Sequence, residues 1–226
     1  MSHRSQLSTS ISSVVHSLIL VLGSVDENTQ QHCLRVGWMA AQLARVRGLS
    51  EHEQGLAELS GILHDLGKLG IPMEIVKHPG RLTSEQLETM KRHPVLTVQM
   101  LEPFRHLEFF ADTFPVIRAH HERWDGKGYP DGLGGENIPI LARVLSVVDT
   151  VDAMAEDRPY RSGLSTEAIE AELRRVSGQQ LDAEIVGLYL DSFRLWSRGP
   201  SAGYGFAKYL QQQTQIFTEI AVKKSA

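Results

Sequence analysis

An all-α helical bundle is the fold this sequence predicts, on three observations. Apolar residues recur at helical spacing in segment after segment. No segment alternates apolar and polar residues convincingly, as a strand does. Ser50 with Glu53, and Thr83 with Gln86, form the capping-box pattern that opens a helix.

The elements follow in order. Val14, Val15, Leu18, Ile19 and Leu22 make the stripe of a first helix, one that packs on the body or forms a dimer. The apolar run Val14–Val25 is too short to span a bilayer, and His16 interrupts it. Asn28 to Arg47 places Val36, Met39, Ala40 and Leu43 on one face, with Gly48 as the stop. Ser50 opens the next helix, whose stripe runs Leu56, Leu59, Ile62, Leu63 and Leu66. A further helix follows Thr83, and Pro94 suits the first turn of another, which leaves His93 at a junction. A helix from about Pro115 runs into His120 and His121. Pro139 opens one that buries Ile140, Leu141, Val144, Leu145 and Val148. After Ala168 the chain reads as helical to about Trp196. The stretch 197–205 reads as a linker and the remainder as a terminal amphipathic helix.

The 226 residues suffice for one substantial core, and 42% hydrophobic with 22% charged residues is an ordinary globular composition. A net charge of −4 gives no reason to expect a nucleic-acid polymer or an anionic membrane as partner, though a small anion remains open. The single cysteine, Cys33, cannot form an intramolecular disulfide, which points to a reducing cytoplasm.

Ligand-type residues fall on apolar faces. His32 lies four residues before Val36, His64 and Asp65 end the apolar run GILHDLG, His120 follows Val116 by four and Asp149 follows Leu145 by four. Any one of them alone reads as a hydrogen-bonded core residue. Together each needs a partner, and a shared cation satisfies several neutral imidazoles and carboxylates at once. The set is nitrogen and oxygen only, which suits iron, manganese or zinc. Cys33 points about 100° away from His32 on a helix and is left out.

HDLGK (64–68) and HHERWDGKGYPDG (120–132) resemble the HD-GYP family of the HD phosphohydrolase superfamily. HCLRV, KRHP, LARVLSVVDTVDAM and DRPYR follow the family's other signatures in the same order, so the likeness covers roughly residues 29–182. The resemblance implies an HD-domain helical bundle with additional C-terminal helices. With the patterning at the two ends, the chain divides into an N-terminal helix (1–27), a catalytic domain (28–196), and a linker with a C-terminal helix (197–226). It implies a metal-dependent phosphodiesterase that hydrolyses cyclic di-GMP to linear pGpG and/or GMP through a metal-bridging hydroxide. A binding module of weak or no activity and a cyclic GMP-AMP phosphodiesterase stand as alternatives. By resemblance, His93, His120 and His121 load one divalent ion, His32, His64 and Asp149 the other, and Asp65 bridges them. Iron or manganese is expected. Asn28 stands where three-metal members carry a glutamate, so two ions are expected.

Lys68 would reach the scissile phosphate, and Arg158 and Arg161 would hold phosphate oxygens. Asp152 would orient a metal-bound histidine, and Arg118 reads as structural. In the loop, Gly126, Gly128, Gly132, Gly134 and Gly135 permit tight turns, Trp124 packs beneath, and Asp125 and Asp131 stabilise turns. Tyr129 either stacks on a guanine or serves a protein surface. The resemblance also implies a diguanylate cyclase (GGDEF) partner for this loop.

Overall fold

The computed structural model describes residues 3–156 and 162–196. The expected linker and terminal helix lie outside the described residues, as does the 157–161 segment with Arg158 and Arg161. Among the described residues there is no strand, only an isolated bridge between Ser177 and Leu181. The helices run α1 (His3–Val25), α2 (Glu27–Val46), α3 (Glu51–Leu63), α4 (Met73–Val76), α5 (Ser84–Met90) and α6 (His93–Leu101). They continue with α7 (Glu108–Ala111), α8 (Phe114–Ala119), α9 (Ile140–Ala155), α10 (Thr166–Val176) and α11 (Ala183–Trp196). None is long and apolar enough to cross a membrane.

The predicted start and stop signals act as chemistry requires. The Asp26 side chain accepts from the Thr29 N–H to open α2, and Gly48 takes the positive φ of 81° that follows the helix end. Both capping boxes form in full, at Ser50 with Glu53 and at Thr83 with Gln86.

Two expectations are corrected. The helix read through Leu66 ends at Leu63, and Leu66–Gly70 is a 3-10 turn, so His64 and Asp65 sit on a corner. The helix read without a break to Trp196 divides at residues 177–182, where Gly178 has φ 72° and the Asp182 carboxylate accepts from the Glu184 N–H.

Helix α2 runs between two apolar layers. Val36, Ala40 and Leu43 face Val144, Leu145 and Val148 of α9 with Leu173 and Ile185. Cys33 and Leu34 face Ile19 and Leu22 of α1 with Leu59, Ile62 and Leu63 of α3. The inward stripe of α1 thus packs on the body, while Leu20, Val21 and Val25 stay exposed.

Helices α2 and α3 approach so closely that a Cβ on Gly61 would lie 2.6 Å from the Gly37 Cα. That contact sets the depth at which His32 and His64 face each other. Gly61→Ala would overpack it by roughly 1–3 kcal/mol, lowering Tm by roughly 2–12 °C in thermal unfolding; an unchanged Tm would contradict this packing.

Candidate metal centre

Every sequence-predicted ligand reaches one place, and most do so from a helix end. His32 comes from the body of α2. His64 caps the C-terminus of α3, and Asp65 follows with φ −97° and ψ 2°. His93 is the first residue of α6, His120 caps α8 with His121 next, and Asp149 projects from α9. At helix ends the backbone is free to turn, which is how two adjacent imidazoles come together, with ring centroids 4.0 Å apart.

The donor atoms divide into two groups. Ligand-capable atoms of His93, His120 and His121 lie within 4.8 Å of one another, as do those of His32, His64 and Asp149. Asp65 stands between: its Oδ1 is 3.3 Å from His93 Nε2, and its Oδ2 is 3.4 Å from His64 Nε2 and 3.7 Å from His32 Nε2. His32 Nε2 is 3.1 Å from Asp149 Oδ1, and the Nε2 atoms of His93 and His120 are 3.4 Å apart.

The other ring nitrogens are engaged. Nδ1 of His64 lies 2.7 Å from Gly61 O, that of His93 2.9 Å from Met90 O, and that of His120 2.6 Å from Ile117 O. Carbonyl oxygens only accept, so in these three rings Nδ1 donates and Nε2 keeps its lone pair in the neutral form. His64 Nε2 is buried without a hydrogen-bond partner. Buried lone pairs aimed at one another, beside a carboxylate, fit a cation and little else.

The charge states agree. Burial holds His93 down to about 3 against the pull of Asp65, and burial with neighbouring imidazole charge holds His120 well below its ordinary value. Burial also holds His121 down to about 4, against the pull of Asp149 and Asp65. These rings are neutral at neutral pH, the form that binds a metal. Burial pushes Asp65 up, but Lys68 and the surrounding imidazoles bring it well below the carboxylate range. Burial likewise raises Asp149, and the His32 hydrogen bond together with the charge of the His64, His32 and His121 imidazoles outweighs it. His32 is the exception: burial lowers it, yet Asp149 and Asp152 raise it to about 10. The field that keeps a proton there is one that attracts any cation.

Lys68 Nζ is 2.5 Å from Asp65 Oδ2, and both line a cleft of about 780 Å³ with Asn28, His32, His93, His121, Tyr129 and Asp149. Tyr129 lies against His121, ring centroids 4.9 Å apart, with the Lys91 ammonium 5.7 Å from its own ring centre. The loop folds back tightly: a Cβ on Gly128 would stand 2.4 Å from Arg123 N and 2.6 Å from His121 O. Asp125 pairs with Arg123 and accepts from the Lys127 N–H, and Asp131 pairs with Arg118, so these acids serve the turn as expected. The Arg143 guanidinium lies 5.7 Å from the half-buried Trp124 ring centre, and the backbone N–H of Trp124 donates to Gln180 O. Asp152 Oδ2 is 2.7 Å from His32 Nδ1, the orienting contact expected of it.

Cys33 lies closer than its helical offset implied, its sulfur within 4.8 Å of ligand atoms of His64 and Asp65. It is fully buried in the apolar layer behind them, and burial raises the thiol well above its ordinary range. It therefore stays a protonated core residue.

Sequence reasoning missed Thr97, Ser146 and Arg35. The buried Thr97 hydroxyl accepts from the Gly67 N–H at 2.8 Å and lies 2.9 Å from both His64 O and His93 O, tying the two ligand corners together. Ser146 donates to His120 O. Thr97 stands four residues after His93 and Arg35 three after His32, so helical spacing was the available signal.

The HD domain family matches residues 16–185. A Thermotoga maritima protein named cyclic di-GMP phosphodiesterase is 37% identical over 167 residues, covering 73% of this chain and 45% of that protein. The cyclic di-GMP phosphodiesterase response regulator RpfG of Xanthomonas campestris pv. campestris is 37% identical over 165 residues, covering 73% and 43%. The chain thus spans less than half the length of these relatives. The crystal structure of a cyclic GMP-AMP-specific phosphodiesterase of Vibrio cholerae, V-cGAP3, superposes with a TM-score of 0.61 at 17% identity, over 94% of this chain and 58% of that one. That likeness shows the fold.

Replacing Thr97 by Val leaves the buried Gly67 N–H without an acceptor, a cost of about 1–3 kcal/mol. Thermal unfolding should show the lowered Tm; a variant as stable as the parent would mean the hydroxyl bears no load.

Proposed function

The chain belongs to the HD domain family, in its HD-GYP branch, and from that premise we propose that it is a metal-dependent cyclic-dinucleotide phosphodiesterase. In this reading it hydrolyses cyclic di-GMP to linear pGpG and/or GMP.

The observation that carries the reading is Asp65, which turns one oxygen to each of two donor groups built of nitrogen and oxygen alone. His93, His120 and His121 would hold one divalent ion, and His32, His64 and Asp149 the other, with Asp65 serving both. Such donors suit iron or manganese. Asn28, in the first turn of α2 on the cleft wall, is neutral and a weak donor, which limits the count to two. When bound, two such ions make water a nucleophile at neutral pH and neutralise charge growing on phosphoryl oxygens.

The chain's own groups do the rest. The Nδ1–carbonyl bonds hold the imidazoles in the tautomer that presents Nε2. Burial lowers the Lys68 pKa, but Asp65 more than offsets this, so the ammonium persists on the cleft wall. There it adds fixed positive charge where a phosphorane-like transition state is most negative. Tyr129 supplies an aromatic wall on which a base can stack. The cleft volume falls in the range of small-molecule sites. Arg158 and Arg161 are assigned to the remaining phosphate oxygens. The outward side of the loop, where Lys127, Asp131 and Gly132 are exposed, is the surface open to a diguanylate cyclase (GGDEF) partner.

Metal analysis of anaerobically purified protein, coupled to turnover of cyclic di-GMP and cyclic GMP-AMP, tests this directly. Two equivalents and hydrolysis are expected; no turnover with any loaded metal would leave a binding module instead. Asp65→Ala should lose metal and turnover while keeping its helical circular dichroism, and full activity in that metal-free variant would refute the metal role. Lys68→Ala should lower kcat roughly 10²-fold at unchanged metal content; an equal kcat would remove Lys68 from the chemistry.

A further inference from the structure

Four of the five imidazoles of the centre are held through Nδ1, and those four are not held alike. His64, His93 and His120 are each fixed through Nδ1 by a carbonyl three residues earlier in their own chain segment, at Gly61, Met90 and Ile117. These restraints are local and form with the helix end itself. His32 instead meets Asp152, a side chain 120 residues further on, in α9. A carboxylate on a rotatable side chain fixes a ring only if it is itself fixed.

Arg35 does this. It stands one turn after His32 on α2, and its Nε and Nη2 meet Asp152 Oδ1 and Oδ2 at 2.8 Å each, a two-pronged fit of guanidinium to carboxylate. The same Nη2 meets Glu156 Oε1 at 2.9 Å. His32, Asp152 and Glu156 have the composition of a further cation site, but the guanidinium already occupies it. Asp152 is thereby locked in both position and orientation, with Oδ2 left facing His32 Nδ1.

We propose that Arg35 is a positioning residue for one of the two metal positions. It acts through Asp152 on His32, so that the His32–His64–Asp149 position depends on it and the His93–His120–His121 position does not. This rests on the metal-centre reading above, and the shape of the guanidinium is what matters. Charge alone makes the opposite prediction, because deleting a cation leaves Asp152 and Glu156 less compensated and should draw a divalent ion more strongly.

Equilibrium binding of Mn²⁺ to the metal-stripped full chain, followed by the free-ion electron paramagnetic resonance signal, separates these cases. The parent should take two equivalents. In Arg35→Gln, and equally in Arg35→Lys, one equivalent should weaken about 10–100-fold while the other holds. Arg35→Gln combined with Asp152→Asn should be no worse than Asp152→Asn alone, since both cut one chain of contacts. Circular dichroism of the Lys variant checks that the helices persist. Binding in Arg35→Lys equal to the parent, tighter binding in Arg35→Gln, or additive losses in the double variant would each overturn the assignment. A parent that takes up no Mn²⁺ would instead bring down the metal-centre reading itself.

Discussion

Asp65 lies almost fully buried at a corner between α3 and a 3-10 turn, against an apolar layer of Leu59, Ile62, Leu63 and Leu66. A carboxylate so placed costs several kcal/mol unless positive charge and hydrogen bonds surround it. Much of the remaining architecture around it answers that requirement. Imidazoles arrive from α2, α3, α6 and α8, Lys68 reaches back from the following turn, and Thr97 fastens the corner that carries the aspartate to the one that carries His93. The packing faces stay largely apolar because most of these polar groups come from helix ends, His32 and Asp149 excepted. The close approach of α2 and α3 at Gly37 and Gly61 then brings His32 within reach of the same carboxylate.

Imidazoles crowded together in an apolar interior repel if charged, and burial keeps all but one of the shifted rings neutral. Neutrality alone is insufficient, because a neutral ring has two tautomers. Three carbonyls choose the tautomer for His64, His93 and His120 at no cost in additional residues. His32, lacking such a carbonyl, draws on a carboxylate, and that carboxylate on a guanidinium. His32 is therefore oriented by a relay of side chains across two helices, where His64, His93 and His120 are oriented by backbone.

Much of this was legible in the sequence, and the reasons differ by element. Capping boxes at Ser50 and Thr83 are local chemistry and form as read. The inward placement of His32, His120 and Asp149 followed from helical spacing, and the resemblance to HD-GYP motifs supplied the grouping that spacing could not. What escaped was whatever depends on the third dimension. Leu66 continues an apolar stripe and so reads as helix, but the chain must turn after Leu63 to bring Asp65 to the centre. The division at residues 177–182 was hidden because Gly178 and Asp182 lie in an otherwise helical pattern, and the turn there hydrogen-bonds to Trp124 and Asp125 in the glycine loop. Arg35 was passed over because its carboxylate partner, Asp152, lies 117 residues further on.

In the proposed centre the two oxygens of Asp65 each serve a separate cation. Anomalous scattering at the manganese edge, from crystals of the chain loaded with Mn²⁺, measures this most directly. Two peaks flanking the Asp65 carboxylate, one beside His93, His120 and His121 and the other beside His32, His64 and Asp149, are the predicted result. A single peak, or density that leaves Asp65 paired with Lys68 alone, would contradict it.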